Sequence, residues 1–218
     1  MLNESKAISA TLRALRIGAP SAEIIVVDGG SADDSRDIAR ELCDQLLTAP
    51  AGRARQMNRG AAAASGDVLA FVHADTLVPP TFSADIDSAL RDPAIVGGRF
   101  DVELDEPGLV YRALGRLISL RSRLSGVGTG DQAIFVRDKA FRDLGGFKEI
   151  ELCEDLDFMR RLKGRGRAAC LRSRVITSAR RWREQGVLRT VLLMWFIKIM
   201  FLLGWSPRWL TRRYSDAR

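Results

Sequence analysis

Glu23-Ile24-Ile25-Val26-Val27-Asp28-Gly29-Gly30-Ser31-Ala32-Asp33-Asp34 is a β-branched run closing on two glycines and a polar cluster. The run reads as a buried strand and the glycines as its turn. Ser31, Asp33 and Asp34 can cap a following helix, expected to reach about Leu46. A buried strand feeding a helix is the unit of an α/β fold, and the alternation continues both ways. Upstream, Ile8, Leu12 and Leu15 stand at helical spacing. Downstream, the pattern predicts a short strand at 46–49, a helix over 52–64 and a second buried strand, Val68-Leu69-Ala70-Phe71-Val72. A helix over 79–91 opening with Pro79-Pro80, a strand at 95–102, a helix over 111–124, a strand at 132–136 and a helix over 154–163 follow. The expected architecture is a Rossmann-like, mostly parallel sheet flanked by helices. No repeat, low-complexity block or interdomain linker breaks it.

At 218 residues, 46% hydrophobic and 28% charged, the chain suits one globular domain. Cys43, Cys153 and Cys170 are odd in number and widely spaced, which disfavours a disulfide framework or zinc ribbon and suits a reducing cytoplasm. The opening residues lack the basic stretch and apolar run of a signal peptide, so no export is expected. The net charge of +7 is uneven: residues 1–159 hold 18 Lys and Arg against 25 Asp and Glu, and residues 160–218 hold 16 against 2. A basic final quarter points to an anionic partner, whether phosphate, lipid or nucleic acid. No nucleic-acid-binding module is evident, and none is expected.

In an open α/β sheet, ligands bind at the carboxyl ends of strands, where Asp28 and Asp75 fall. Asp28 can accept hydrogen bonds from a ribose or base, or can simply cap its own turn. Without a Gly-x-Gly-x-x-Gly turn, a nicotinamide dinucleotide is disfavoured. Arg53 and Arg55 near a helix start can hold a pyrophosphate, or can form a charged helix face. His73 and Asp75 follow a hydrophobic strand two residues apart, and can share a cleft if the chain stays extended. One imidazole and one carboxylate suit an open Mn²⁺ or Mg²⁺ site completed by phosphate and water. His73 is the single histidine, so a multi-histidine zinc site and a Ser-His-Asp triad are excluded. Glu154 and Asp155 stand at a helix start, where acids complement the dipole or one serves as general base.

Near the end, Leu188, Leu192, Trp195, Ile199 and Leu202 share helical spacing within 187–205, and Arg189 and Lys198 interrupt the stretch. An interfacial or partner-facing helix is expected, with Arg208, Arg212 and Arg213 toward anionic lipid; the other reading is a helix docked on its own domain.

Taken together, Leu2-Asn3-Glu4, Val27-Asp28-Gly29-Gly30-Ser31, Arg53-Ala54-Arg55-Gln56-Met57-Asn58, His73-Ala74-Asp75-Thr76, Gly130-Asp131-Gln132, Glu154-Asp155 and Arg180-Arg181-Trp182 resemble, in order and spacing, the family 2 glycosyltransferases of the GT-A fold. The nearer likeness is to a small bacterial subgroup known as radical-SAM/selenodomain-associated transferases. The resemblance implies a GT-A domain over 1–183 and an amphipathic basic segment over 184–218 packed on or beside it. It implies nucleotide contacts from Asn3, Glu4, Asp28, Arg53, Asn58 and Asp75. His73-Ala74-Asp75 matches the metal-binding Asp-x-Asp, with His73 in place of the first acid and Asp75 as the main ligand to Mn²⁺ or Mg²⁺. Asp155 matches the catalytic base beside Glu154. Gly130, Asp131, Gln132, Arg181 and Trp182 fall on the acceptor and diphosphate side.

The implied reaction is a single inverting displacement, from a UDP-sugar before a GDP-sugar, onto an acceptor hydroxyl that lipid linkage would bring to the membrane. The implied place is the cytoplasm, peripheral on the inner face of the cell membrane. Relatives carry a strand ahead of the Asn-Glu pair that is missing before Leu2, so the sheet is expected to lack a central strand or the start to be internal. The rivals are a nucleotidyltransferase, whose glycine-rich basic loop is not seen, and a catalytically weak, membrane-associated scaffold of the same fold.

Overall fold

The computed structural model describes residues 1–207 and 209–211. In chain order it forms α1 (Ile8–Gly18), β1 (Ile25–Asp28), α2 (Ser35–Arg40), β2 (Gln45–Thr48), α3 (Arg53–Ala63) and β3 (Val68–Phe71). Then come β4 (Thr76–Leu77), α4 (Phe82–Leu90), β5 (Ile95–Leu104), α5 (Leu109–Ser125), a 3₁₀ turn (Gly130–Gln132) and β6 (Ile134–Arg137). The chain continues through α6 (Asp138–Asp143), α7 (Glu154–Lys163), β7 (Arg167–Thr177), α8 (Arg180–Gln185) and α9 (Val187–Leu202).

β1 and β2 pair in parallel, from Ile25 opposite Gln45 to Asp28 opposite Thr48. Ile8 and Leu12 of α1 close over Val26 and Ala39. The helix expected to reach Leu46 stops at Arg40. Asp44 explains why: its carboxylate accepts from the Ile24 N–H at 2.7 Å and pairs with Arg16 at 3.0 Å, tying the chain to the head of β1. The next residues then enter the sheet. On the other edge of β1, the Met1 ammonium donates to the Val27 carbonyl at 2.7 Å and the Gly29 N–H to the Met1 carbonyl at 2.9 Å. Met1 thus supplies one residue of strand pairing there.

The remaining strands form a second sheet in the order β3-β6-β5-β7-β4. The longest ladder, β5–β7, is parallel, as is β1–β2, whereas β3–β6, β5–β6 and β4–β7 are antiparallel. The reversal at β6 follows from α5. Ser119 on α5 accepts from the Val102 N–H, Arg123 reaches Asp101, and Gln132 donates to the Phe100 carbonyl, before Phe135 pairs with Gly98. The chain therefore retraces β5 step by step and enters the sheet already running backward. Gly98 makes the join close: a Cβ there would stand 2.6 Å from the Ala169 carbonyl and from the Phe135 ring.

The sheet's two faces carry separate cores. Phe141, Phe147, Phe158 and Leu162 pack with Ile134 and Val136 on one, while Phe82, Phe100, Phe135 and Val175 pack on the other. β7 was not anticipated. Its arginines, Arg167, Arg172 and Arg174, resemble a solvated loop locally, and the long pairing with β5 makes the strand.

α9 sits on the domain through its inner side. Ile197, Leu193 and Phe201 meet Cys153 and Leu156, and Val187 and Val191 meet Leu104 and Leu114. Leu188, Leu192, Trp195, Ile199 and Leu202 are all exposed. The helix is therefore apolar on both sides and not amphipathic, with Arg189, Thr190 and Lys198 as its polar exceptions. Exposed Leu109, Val110, Leu117, Leu120 and Leu124 add an apolar side on α5. None of the described helices is long and apolar enough to cross a membrane. Arg208, Arg212 and Arg213 lie outside the described residues.

Candidate active site

The polar ends of β1 and β3 and the starts of α3 and α7 converge on one group of side chains. Asn3 takes a left-handed turn (φ 53°) that lets the N-terminal segment clasp the 31–35 loop. Its N–H donates to Ser31 Oγ at 3.0 Å, and its Oδ1 accepts from the Ala32 N–H at 2.8 Å. The Glu4 N–H donates to Ser35 Oγ at 2.7 Å, which leaves the Glu4 carboxylate to pair with Arg180 at 3.0 Å.

Asp28 is fully buried, and its carboxylate is committed to its own turn. It accepts from the Gly30 N–H at 3.0 Å, the Ser31 N–H at 3.1 Å and the Ser31 hydroxyl at 2.6 Å, with Arg36 at 3.8 Å. Burial alone would raise its pKa, but the Ser31 and Gly30 hydrogen bonds prevail and lower it. The turn-capping alternative describes this geometry.

Asp75 is the opposite case. Its carboxylate makes no hydrogen bond to another described residue, and burial, together with the nearby Glu4 charge, raises its pKa. Arg180 and Arg53 oppose that rise through their charges. A divalent cation would relieve two confronted carboxylates, so the surroundings of Asp75 fit one.

Arg53 is also within electrostatic reach of His73. Burial first, and the Arg53 charge second, push its pKa down to about 4, so the imidazole is neutral at pH 7 and able to act as a donor to metal. Among the described residues no cluster of three or more His, Cys, Asp and Glu forms a closed metal cage. The Thr76 N–H donates to the His73 carbonyl at 3.1 Å, so the chain turns between His73 and Asp75 and does not stay extended as expected.

His73 abuts Gly130, where a Cβ would stand 2.5 Å from His73 Nε2 and 3.6 Å from Asp155 Oδ2. Only glycine fits between them. The Gly130 N–H donates to Asp155 Oδ2 at 2.6 Å, and the Leu156 N–H donates to Oδ1 at 2.6 Å, which fixes the carboxylate at the start of α7. Glu154 is buried beside it; burial first and the Asp155 charge second raise its pKa to about 7. Arg53 offsets this partly, with its Nη1 3.9 Å from Glu154 Oε1.

The structure thus gathers Glu4, Arg53, His73, Asp75, Gly130, Asp131, Glu154 and Asp155, with Arg181 within electrostatic reach of His73. Besides Asn3 and Asp28, which are spent on the 28–32 loop, three more expected residues do not join them. Asn58 spends its amide on Phe147, donating to the carbonyl at 2.8 Å and accepting from the N–H at 2.9 Å. Gln132 is fully buried and bonded to Phe100, Ser122 and Thr129, so it braces the 3₁₀ turn from behind. Trp182 packs with Leu104, Leu114 and Ala179. Sequence reasoning missed Arg180, one residue before the Arg-Trp pair, and missed Arg99 and Arg121. An arginine within the otherwise uncharged run Ile95-Val96-Gly97-Gly98-Arg99-Phe100 was the available signal for Arg99.

Against known proteins, residues 1–148 match the model of the family described as Glycosyl transferase family 2. An uncharacterized glycosyltransferase of Nostoc sp. (strain PCC 7120 / SAG 25.82 / UTEX 2576) is 40% identical over 65 residues, covering 27% of this chain and 20% of its own. The mannosyltransferase PcManGT from Pyrobaculum calidifontis, in complex with GDP-Man and Mn²⁺, superposes with a TM-score of 0.63 at 19% identity, over 81% of this chain and 54% of that one. TarS of S. aureus, residues 1–349 in complex with UDP, gives 0.62 at 18% identity, over 82% and 58%. Glucosyl-3-phosphoglycerate synthase from Mycobacterium tuberculosis, with Mn²⁺, UDP and glucosyl-3-phosphoglycerate, gives 0.55 at 21% identity, over 80% and 67%. The chain spans about half the length of the first two structures. These likenesses show the GT-A fold.

Proposed function

The chain belongs to glycosyl transferase family 2, and from that premise we propose that it moves a sugar from a nucleoside-diphosphate donor to an acceptor hydroxyl. The observation that carries this reading is Asp155, held by the Gly130 N–H at 2.6 Å beside His73, with Arg53 and Glu154 adjoining. Asp155 takes the proton of the attacking hydroxyl, and its two backbone hydrogen bonds aim it. The hydroxyl displaces the nucleoside diphosphate in one step, with inversion at the anomeric carbon. Arg53, at the start of α3, and Arg181 meet the negative charge that develops on the leaving diphosphate. The neutral His73 can donate or accept without competing as a cation. Glu154 tunes Arg53 and Asp155 from below.

Asp75, assisted by His73, would hold Mn²⁺ or Mg²⁺; such an ion supplies Lewis-acid stabilisation of the departing phosphates when bound. Both GDP-Man with Mn²⁺ and UDP occur in the structural relatives, and UDP is the first donor nucleotide to try. Asp28 acts one step back, by shaping the 28–31 turn against which Asn3 and the nucleoside lie. The exposed apolar sides of α5 and α9, with the basic surplus of residues 160–218, support peripheral contact with an anionic membrane, on the cytoplasmic face in this reading. Vesicle flotation checks this: binding should require anionic lipid and weaken in high salt.

The activity test is a donor screen that measures nucleotide release from UDP- and GDP-sugars with Mn²⁺ or Mg²⁺. Metal-dependent release from a UDP-sugar, lost in Asp155→Asn, is the expected result. No release from any nucleotide-sugar would overturn the reading.

A further inference from the structure

Beside Asp155 lies a group of cations that the donor chemistry leaves unused. Arg99 projects from β5 and is 1% exposed, and Nε, Nη1 and Nη2 all lack a hydrogen-bond partner. Its stem passes beneath Gly128, where a Cβ would stand 2.1 Å from Arg99 Cδ. Arg121, on the inner side of α5, has Nε and Nη2 buried without a partner. Lys198 comes from the inner side of α9, next to Ile197, which is 4% exposed. Arg121 and Lys198 are mutually within electrostatic reach, and each also reaches Asp131 and Asp155; Arg99 reaches Arg121. Among the described residues none of the three cations forms an ion pair.

Burying a guanidinium with no acceptor is strongly unfavourable, which is why such groups are almost always paired. Here three elements, β5, α5 and α9, each contribute one cation to a place where, among the described residues, Asp131 and Asp155 are the carboxylates that answer them. Burial lowers the pKa of both Arg121 and Lys198, with the two carboxylates opposing that shift. Asp155 is already occupied by the Gly130 and Leu156 N–H groups, and Asp131 Oδ1 is itself buried without a partner. The unmet need is for an acceptor-rich anion. A phosphate has several acceptor oxygens and matches a set of convergent guanidinium and ammonium donors.

We infer that the acceptor carries a phosphate group, bound by Arg121 and Lys198 over Arg99, beside Asp155. This rests on the reading of Asp155 as the base: the phosphate fixes the acceptor so that its hydroxyl faces that carboxylate. The phosphate can belong to a soluble phosphomonoester or to a lipid head group delivered along α9. The two sources share this chemistry.

The test titrates inorganic phosphate into the full chain already saturated with UDP and Mn²⁺, followed by calorimetry. Wild type should bind phosphate with the donor site filled. Arg121→Gln and Lys198→Met should each weaken phosphate by at least about tenfold, the worth of one charge-assisted hydrogen bond, while UDP affinity stays unchanged. Arg121→Lys should recover part of the loss. Arg99→Met is checked by circular dichroism first, and the other two variants decide the matter if it fails to fold. Equal phosphate affinity in wild type and both variants, or displacement of phosphate by UDP, overturns the site. Absence of UDP binding in wild type would instead strike the glycosyl-transfer reading, with phosphate alone then titrated against the same variants. Flotation with phosphatidic acid against phosphatidylcholine separates the sources: sensitivity of phosphatidic acid binding to Lys198→Met assigns the phosphate to a lipid, and its absence assigns it to a soluble acceptor.

Discussion

β1 and β3 look alike as sequence, each an apolar run leading to an aspartate, the last residue of β1 in one case and four residues past β3 in the other, yet the two carboxylates have opposite surroundings. Asp28 is fully buried and accepts from two backbone N–H groups and a hydroxyl within its own turn. Asp75 faces Glu4 and has no such partners among the described residues, so its pKa rises where that of Asp28 falls. What separates them is the next few residues. Gly29-Gly30-Ser31 can curl back to offer donors, whereas Thr76 leads directly into β4 and offers none. A saturated carboxylate builds the wall of a site, and an unsatisfied one is available to a ligand.

Asp155 extends the comparison, being held by two N–H groups yet placed against His73 and Gly130. Asp155→Asn keeps an acceptor for the Gly130 N–H but cannot take a proton. Turnover should drop by about 10²–10⁴-fold with donor binding nearly intact. Loss of donor binding in parallel would make Asp155 a second structural acid, like Asp28.

Asp28→Ala should act on stability before function. It strands the Gly30 and Ser31 N–H groups, at a cost of about 2–3 kcal/mol, read from denaturant unfolding. A variant as stable as wild type would show that the turn does not depend on this carboxylate.

Glu154 supplies the pH dependence. Its folded pKa of about 7 exceeds the ordinary value of 4.5, so the native state binds the extra proton, and its contribution to stability falls as pH rises from about 4.5 through 7. His73, lowered to about 4 from 6.5, works the other way: its contribution is lost as pH falls below 6.5. The two trends offset one another in wild type between those limits. Glu154→Gln should therefore be more stabilising relative to wild type at pH 8 than at pH 5, by up to about 2 kcal/mol. Turnover should suffer less than in Asp155→Asn. A pH-independent difference would mean that Glu154 is not held protonated by its burial.

The legible parts of the molecule were those decided locally. α7 begins at Glu154 and ends at Lys163, as its acids and apolar spacing indicated, and β1 is a run that reads as a strand in isolation. The place of Asp155 in the first turn of α7 was legible because a helix start is itself local. Asn58 and Gln132 were misread since their amides are spent on Phe147 and Phe100, far away in sequence. Arg99, Arg121 and Lys198 are unremarkable until three separate elements bury them together. The outer side of α5 was missed because Leu109, Leu117 and Leu120 would serve equally well as core if something covered them.

The central claim is that Asp75, and not Asp28, meets the donor and its metal. Calorimetric titration of UDP with and without Mn²⁺ into wild type, Asp75→Ala and folded Asp28→Asn tests it most directly. The account predicts Mn²⁺-dependent UDP binding in wild type, its disappearance in Asp75→Ala, and its retention in Asp28→Asn. Unchanged, Mn²⁺-dependent affinity in Asp75→Ala, with loss in Asp28→Asn, would contradict it.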